Sequence, residues 1–248
     1  MPQAPVYAGT SGWAYASWKP GFYPAEVPAK RFLEHFATRL NAVEVNYTFR
    51  ALPTAAMLAG WLAATPADFR FSFKAPQAMT HFKRLVECGD AVARFSAALE
   101  PVRAAGRLGP LLFQLPPNFK VDVARLEGLL RLPELSGPGA AKVAFEFRHE
   151  SWFAEPVYEV LRAHGAALCL AEGDELSTPE VQCAEGFACY RLRRSGGYTA
   201  EEIGEFAERF GALAKTREVY AFFRHEDEPT GARNAEALLR ACAGAERR

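Results

Sequence analysis

Along the chain, short runs in which large apolar residues alternate with polar or small ones are interleaved with stretches whose apolar residues recur every three or four positions. The alternating runs fall at 6–11, 43–46, 69–74, 110–115, 142–148, 167–172, 187–193 and 218–225. Alternation of this kind marks a strand with two unlike faces. Between the runs lie Phe32, Phe36 and Leu40, then Val92, Phe95, Leu99 and Val102, then Ile203, Phe206, Phe210 and Leu213, then Ala235, Leu238, Leu239 and Cys242. These spacings predict helices that lay one apolar face on a sheet. The weakest crossover follows Glu172, because residues 173–186 carry little helical pattern. Strands alternating with helices imply a parallel sheet, and each repeat is about 30 residues long, the size of one strand–helix unit. The expected fold is α/β, a single (β/α)8 TIM-type barrel of parallel strands forming one domain over residues 1–248.

The parity of the strands then assigns faces. In the fifth run Val143, Phe145 and Phe147 suit the helix layer, which turns Ala144, Glu146 and Arg148 into the barrel. The third run sends Arg70, Ser72 and Lys74 inward, the second Glu44 and Asn46, the fourth Leu112 and Gln114, and the seventh Arg191 and Arg193. In the eighth, either Arg224 or His225 faces inward. Barrel interiors are ordinarily filled by branched apolar side chains, and a buried unpaired charge is costly. Polar residues at the C-terminal strand ends therefore predict a site at that mouth. An internal ion-pair network, such as Glu146 with Arg191, is the alternative.

Composition narrows the picture. The 248 residues are half apolar, with acidic and basic residues balanced at 29 each and a net charge of zero. That excludes a disordered chain and disfavours a nucleic-acid partner held by the overall field. No run reaches the roughly 18 apolar residues of a membrane span, and Met1-Pro2-Gln3-Ala4-Pro5 lacks a signal-peptide pattern; a soluble, cytoplasmic protein is expected. The five cysteines are odd in number, scattered and without a Cys-x-x-Cys, so free thiols are expected. Oligomeric state is not legible.

Locally the balance breaks. Glu44, Glu146 and Glu172 share the predicted mouth with Lys74, Arg148, Arg191, Arg193 and Arg224, while His81 and His225 follow strands three and eight. A cationic excess of this kind suits a small anionic ligand, phosphorylated or sugar-like. The loop from Arg193 to Tyr198, containing Gly196 and Gly197, lies where barrels often hold phosphate. Candidate catalytic residues are Glu146 as acid or base, His81 as proton shuttle and Glu44. Candidate binding residues are Asn46, Lys74, Gln114, Arg148, Trp152, Arg191, Arg193, Tyr198 and Trp13. Trp13, Tyr15, Trp18, Phe22 and Tyr23 form either a stacking lid or an apolar plug for the rim. No cofactor is called for. A divalent metal on Glu44, Glu146, Glu172, His81 and His225 is one alternative, a Schiff base on Lys74 another, and a glycosidase-like carboxylate pair a third. A non-catalytic binding or sensor protein on the same scaffold is the fourth.

Six segments together resemble a known family. They are Gly9-Thr10-Ser11-Gly12-Trp13, the run 43–49, Phe73-Lys74 with Thr80-His81, the run 109–117, Phe145-Glu146-Phe147-Arg148-His149 with Trp152, and the run 231–238. In this order they are similar to the YecE-like proteins, which carry domain of unknown function 72. The resemblance implies a TIM-type barrel and no established reaction. Two departures stand out. The family usually shows His-Gly after strand seven, where this chain has Arg193-Arg194-Ser195-Gly196, and an Asn-rich turn after strand eight, where it has Arg224-His225-Glu226-Asp227.

Overall fold

The computed structural model describes residues 5–137, 139–173 and 176–245. Eight parallel strands, β1 (Val6–Thr10), β2 (Ala42–Val45), β3 (Arg70–Lys74), β4 (Leu108–Gln114), β5 (Val143–Glu146), β6 (Ala167–Glu172), β7 (Phe187–Leu192) and β8 (Glu218–Phe223), follow one another in the order β1-β8-β7-β6-β5-β4-β3-β2. The helices are α1 (Phe32–Phe36), α2 (Ala55–Ala63), α3 (Gly89–Ala104), α4 (Val123–Leu130), α5 (Glu155–Ala163), α6 (Ala200–Leu213) and α7 (Thr230–Ala245). The periodic stripes at 92–102, 203–213 and 235–242 are the buried faces of α3, α6 and α7, which confirms the helix period read from them. No helix occurs among the described residues between β6 and β7, as the pattern-poor segment led one to expect. No described helix is long and apolar enough to cross a membrane.

The last gap in the barrel, between β1 and β2, closes at its C-terminal end. Ser11 and Glu44 form a single parallel bridge there, and the Gly12 amide donates to the Glu44 carbonyl at 2.9 Å. This approach requires Gly9: a Cβ on it would stand 1.8 Å from the Ala42 carbonyl oxygen.

Two apolar bodies result. The larger lies between strands and helices and holds the outward Phe71, Phe73, Phe113, Phe145 and Tyr190. The smaller fills the barrel itself with Tyr7, Ala42, Leu112, Ala144, Ala167, Cys169, Cys189, Tyr220 and Phe222. Every inward assignment made from parity on strands two to five and seven follows this division. On β8 it is Tyr220 and Phe222 that face in, so the same parity points Arg224 toward the mouth. The interior positions flanking the charged layer are small: Ala144, Ala171, Cys169 and Cys189. Large side chains can therefore reach across the barrel above them.

Candidate functional site: the charged mouth of the barrel

Arg191 organises the upper layer. It projects from β7 across the barrel and is 1% exposed. Its Nε and Nη2 donate to Glu44 Oε2 and Oε1 at 2.8 and 2.7 Å, a two-pronged pairing with the carboxylate from β2. Its Nη1 donates to Glu146 Oε2 on β5. One guanidinium thus joins two carboxylates from nearly opposite walls, using the planar fork that Arg alone offers. Ser11 Oγ completes Glu44 at 2.8 Å. Gln114 Nε2 and Arg148 Nε complete Glu146 Oε1 at 2.8 and 3.0 Å.

This saturation fixes the protonation states. Burial alone would raise both carboxyls, but the guanidinium charge and the donated hydrogen bonds overcome it. Glu44 is held below its ordinary value, and Glu146 is lowered to about 2. Both are permanent anions near neutral pH. In this arrangement Glu44 holds Arg191, and Glu146 holds Arg191, Arg148 and Gln114. The ion pair read as the alternative for Glu146 and Arg191 is present.

The remaining cations are a different matter. Lys74, from the end of β3, donates through Nζ to Gln114 Oε1 at 2.7 Å and lies 4.1 Å from the centre of the Phe49 ring. Among the described residues it has no carboxylate partner. Burial, then the Arg191 charge, lowers its amine to about 8. Arg193 is likewise without a carboxylate; its hydrogen bond is Nη1 to Ser11 Oγ at 2.9 Å. Burial and the neighbouring Arg191 lower even this guanidinium to about 10. Arg148 and Arg224 are more exposed, Arg224 donating to Ser195 Oγ at 2.8 Å.

Arg148, Arg193 and Arg224 face a cavity of about 520 Å³ lined also by Glu146, Ser195 and His225, with Phe147 and Leu176 as apolar wall; Lys74 stands outside that lining. His225 stacks on Tyr15, ring centres 4.9 Å apart. His81 sets its edge against Phe49 at 5.0 Å and contacts Thr80 Oγ1 through Nδ1 at 2.9 Å. Burial and nearby cations depress both imidazoles, so they are neutral near pH 7. Asn46 closes β2 with its Oδ1 buried and lacking any hydrogen-bond partner, an acceptor aimed at no protein donor.

The structure does not bring every candidate to the mouth. Trp152 is fully buried, donating from Nε1 to the Phe119 carbonyl at 2.6 Å and stacked on Phe147 at 4.6 Å. It is core beneath the rim, which corrects its assignment to the ligand wall. Tyr198 packs between Phe206 and Phe223 under α6, again away from the cavity. Trp13 lies edge-on to Trp61 at 5.2 Å and is half-buried. Trp18, Phe22 and Tyr23 are buried together, so the aromatic loop is chiefly a plug, and Tyr15 alone of that group touches a mouth residue. Glu172 turns outward, 3.8 Å from Arg194, and stands apart from Glu44 and Glu146. No group of three or more His, Cys, Asp or Glu side chains able to hold a metal ion occurs among the described residues. The two mouth carboxylates are already engaged by arginine.

Sequence reasoning missed Ser11 and Phe49 as partners of the site, while Tyr15 was named only within the aromatic lid or plug. Ser11 was findable: parity carried from Tyr7 through Gly9 places it inward. Nothing in the sequence announces Phe49, which reaches Lys74 from the short turn after β2.

Comparison with known proteins fits this description. Residues 7–248 match the model of the family described as "Protein of unknown function DUF72". The UPF0759 protein YecE of Escherichia coli K12 is 33% identical over 156 residues, 60% of this chain and 51% of that protein. The UPF0759 protein YunF of Bacillus subtilis is 31% identical over 164 residues, 62% of this chain and 54% of that one. The chain thus spans about half the length of the curated relatives it matches. Among solved structures, a DUF72 family protein from Thermotoga maritima superimposes with a TM-score of 0.82 at 28% identity, covering 95% of this chain and 98% of its own. The chain belongs to the DUF72 family.

Proposed function

We propose that this DUF72 protein binds a small, hydroxylated organic anion in the mouth of its barrel and performs proton-transfer chemistry on it. The observation that carries this reading is Arg193, a half-buried guanidinium facing the cavity with a hydroxyl partner and, among the described residues, no carboxylate. A buried cation without its counter-charge is costly, and an anionic ligand supplies that charge. Arg148 and Arg224, beside it on the same wall, suit the fork-on-oxyanion pairing of a phosphate or carboxylate. The orphaned Oδ1 of Asn46 calls for a donor, which a ligand hydroxyl provides.

The acid/base group in this reading is Lys74. Its amine lies near the neutral range, as a general acid or base requires, whereas Glu146 does not. His81, which also contacts the Phe49 ring, is the proton relay of this reading. Glu44, Glu146 and Arg191 hold the frame rigid.

The test is calorimetric titration of the protein with inorganic phosphate and with small sugar phosphates and hydroxy acids. Arg193→Ala is expected to weaken binding by about tenfold or more, equivalent to ~1.4 kcal/mol, with its melting temperature preserved. Unchanged affinity in a folded Arg193→Ala protein would overturn the reading. Binding without turnover of any bound compound would leave a ligand-binding protein.

A further inference from the structure

We propose that Lys74 acts covalently, its amine condensing with the aldehyde or ketone of the bound anion to form a Schiff base. The substrate class of this site is then small hydroxylated carbonyl compounds bearing a phosphate or carboxylate. This rests on the anion reading above and deepens it.

The placement of the amine is the argument. Nζ stands at the mouth end of β3, held at 2.7 Å by Gln114 Oε1. That oxygen belongs to a neutral amide whose own Nε2 is committed to Glu146 at 2.8 Å. A carboxylate in the same position would lock the nitrogen as an ammonium; an amide oxygen orients it without trapping the charge, since a neutral amine can donate to it equally well. Burial and the Arg191 and Arg148 charges oppose the ammonium, Glu44 and Glu146 favour it, and the balance lies toward the neutral amine. The face of Phe49 excludes water from one side. Lys74 is also tied to the anion wall: Nζ, Gln114, Glu146 and Arg148 form one chain of hydrogen bonds at 2.7, 2.8 and 3.0 Å. A substrate of this site must span from the Arg148 and Arg193 side of the cavity to Nζ, which lies at the other end of that chain.

The step balances without a redox partner. The nitrogen lone pair attacks the carbonyl carbon, the carbon–oxygen π bond breaks, and the oxygen takes a proton to give a carbinolamine. The oxygen then departs as water carrying both hydrogens of the original amine, and a carbon–nitrogen double bond remains. Neutral His81, whose ring lies 5.0 Å from Phe49, can accept and return the proton in transit.

The experiment uses the full chain and two aldehydes of like size, glyoxylate, which carries a carboxylate, and glycolaldehyde, which is neutral. Each is incubated near pH 7 with cyanoborohydride, and modified lysines are located by peptide mass spectrometry with and without inorganic phosphate. Expected is preferential modification of Lys74 over the other lysines by about tenfold or more, stronger with glyoxylate and suppressed by phosphate. Lys74→Arg and Lys74→Met, both checked for folding by thermal melting, should abolish the site-specific adduct. Modification spread over exposed lysines with Lys74 untouched, while phosphate still binds through Arg193, overturns the covalent role and leaves the anion site standing. Equal modification of Lys74 by both aldehydes, indifferent to phosphate, supports the covalent role and overturns the anion reading on which substrate choice rests.

Discussion

Replacing Arg191 by Met removes the one cation that two buried carboxylates share. Breaking a buried ion pair from one side costs about 3–5 kcal/mol, since the other charge stays behind without compensation. Here two carboxylates lose their shared guanidinium, each essentially inaccessible to water, and keep only Arg148 and Gln114 at Glu146 and Ser11 at Glu44. At about 2–4 °C per kcal/mol for a domain of this size, melting near neutral pH should fall by roughly 6–20 °C. The pH dependence is the sharper test. In the wild-type protein Glu146 titrates at about 2 against an ordinary 4.5. Its depressed value contributes stability that is fully present above 4.5 and lost as pH falls toward 2. That shift corresponds to about 3 kcal/mol. Without Arg191, the desolvation that raises both carboxyls is opposed only by Arg148 and Gln114 at Glu146 and by Ser11 and the Arg193 charge at Glu44. Less of the stability that ionised carboxylates contribute above pH 4.5 then remains. The gap between the two proteins should therefore narrow steadily from pH 6 to pH 3. Urea unfolding at several pH values measures it. A variant as stable as wild type near neutrality, or a gap independent of pH, would refute the clamp. The triple variant with Glu44→Gln and Glu146→Gln should recover much of the loss, because removing all members of a buried ionic cluster leaves no stranded charge.

Lys74→Met should be more stable than wild type near pH 7, with the difference closing as pH rises from about 8 to 10.5. The sign follows from an amine that is harder to charge in the folded state, so folding is favoured as pH rises through that window; equal stability at all pH values would contradict it. Gly9→Ala forces a Cβ to within 1.8 Å of the Ala42 carbonyl oxygen, and separating β1 from β2 there should cost about 3 kcal/mol or more, read by chemical denaturation. Trp152→Ala should destabilise by about 3–5 kcal/mol while the surviving folded protein keeps its affinity for phosphate in calorimetry, since the indole lies beneath the rim and away from the ligand cavity.

The sequence by itself determined the barrel and the identity of its interior. Strand parity is a local property of the backbone: successive side chains must point to opposite faces, so Glu44, Lys74, Gln114, Glu146 and Arg191 are assigned inward without any long-range information. The repeat of strand and helix then leaves few topologies. What parity does not carry is distance and charge state. Whether Glu146 is an acid or a fixed anion depends on how many donors converge on it, and those come from β4, from β7 and from Arg148 beyond the end of its own strand. Only closure of the barrel brings them within hydrogen-bond range. Trp152 was misplaced for a related reason: it follows a strand end, but the fold turns it back onto Phe147 and Phe119 because an indole gains more from burial and one carbonyl acceptor than from a wet rim. Lys74 and Arg193 were legible as cations at the mouth. That they lack carboxylate partners while Arg191 holds both is a fact of tertiary structure. Arg191 reaches both carboxylates across the small residues Ala171 and Cys189, and Lys74 and Arg193 are left without a carboxylate partner among the described residues.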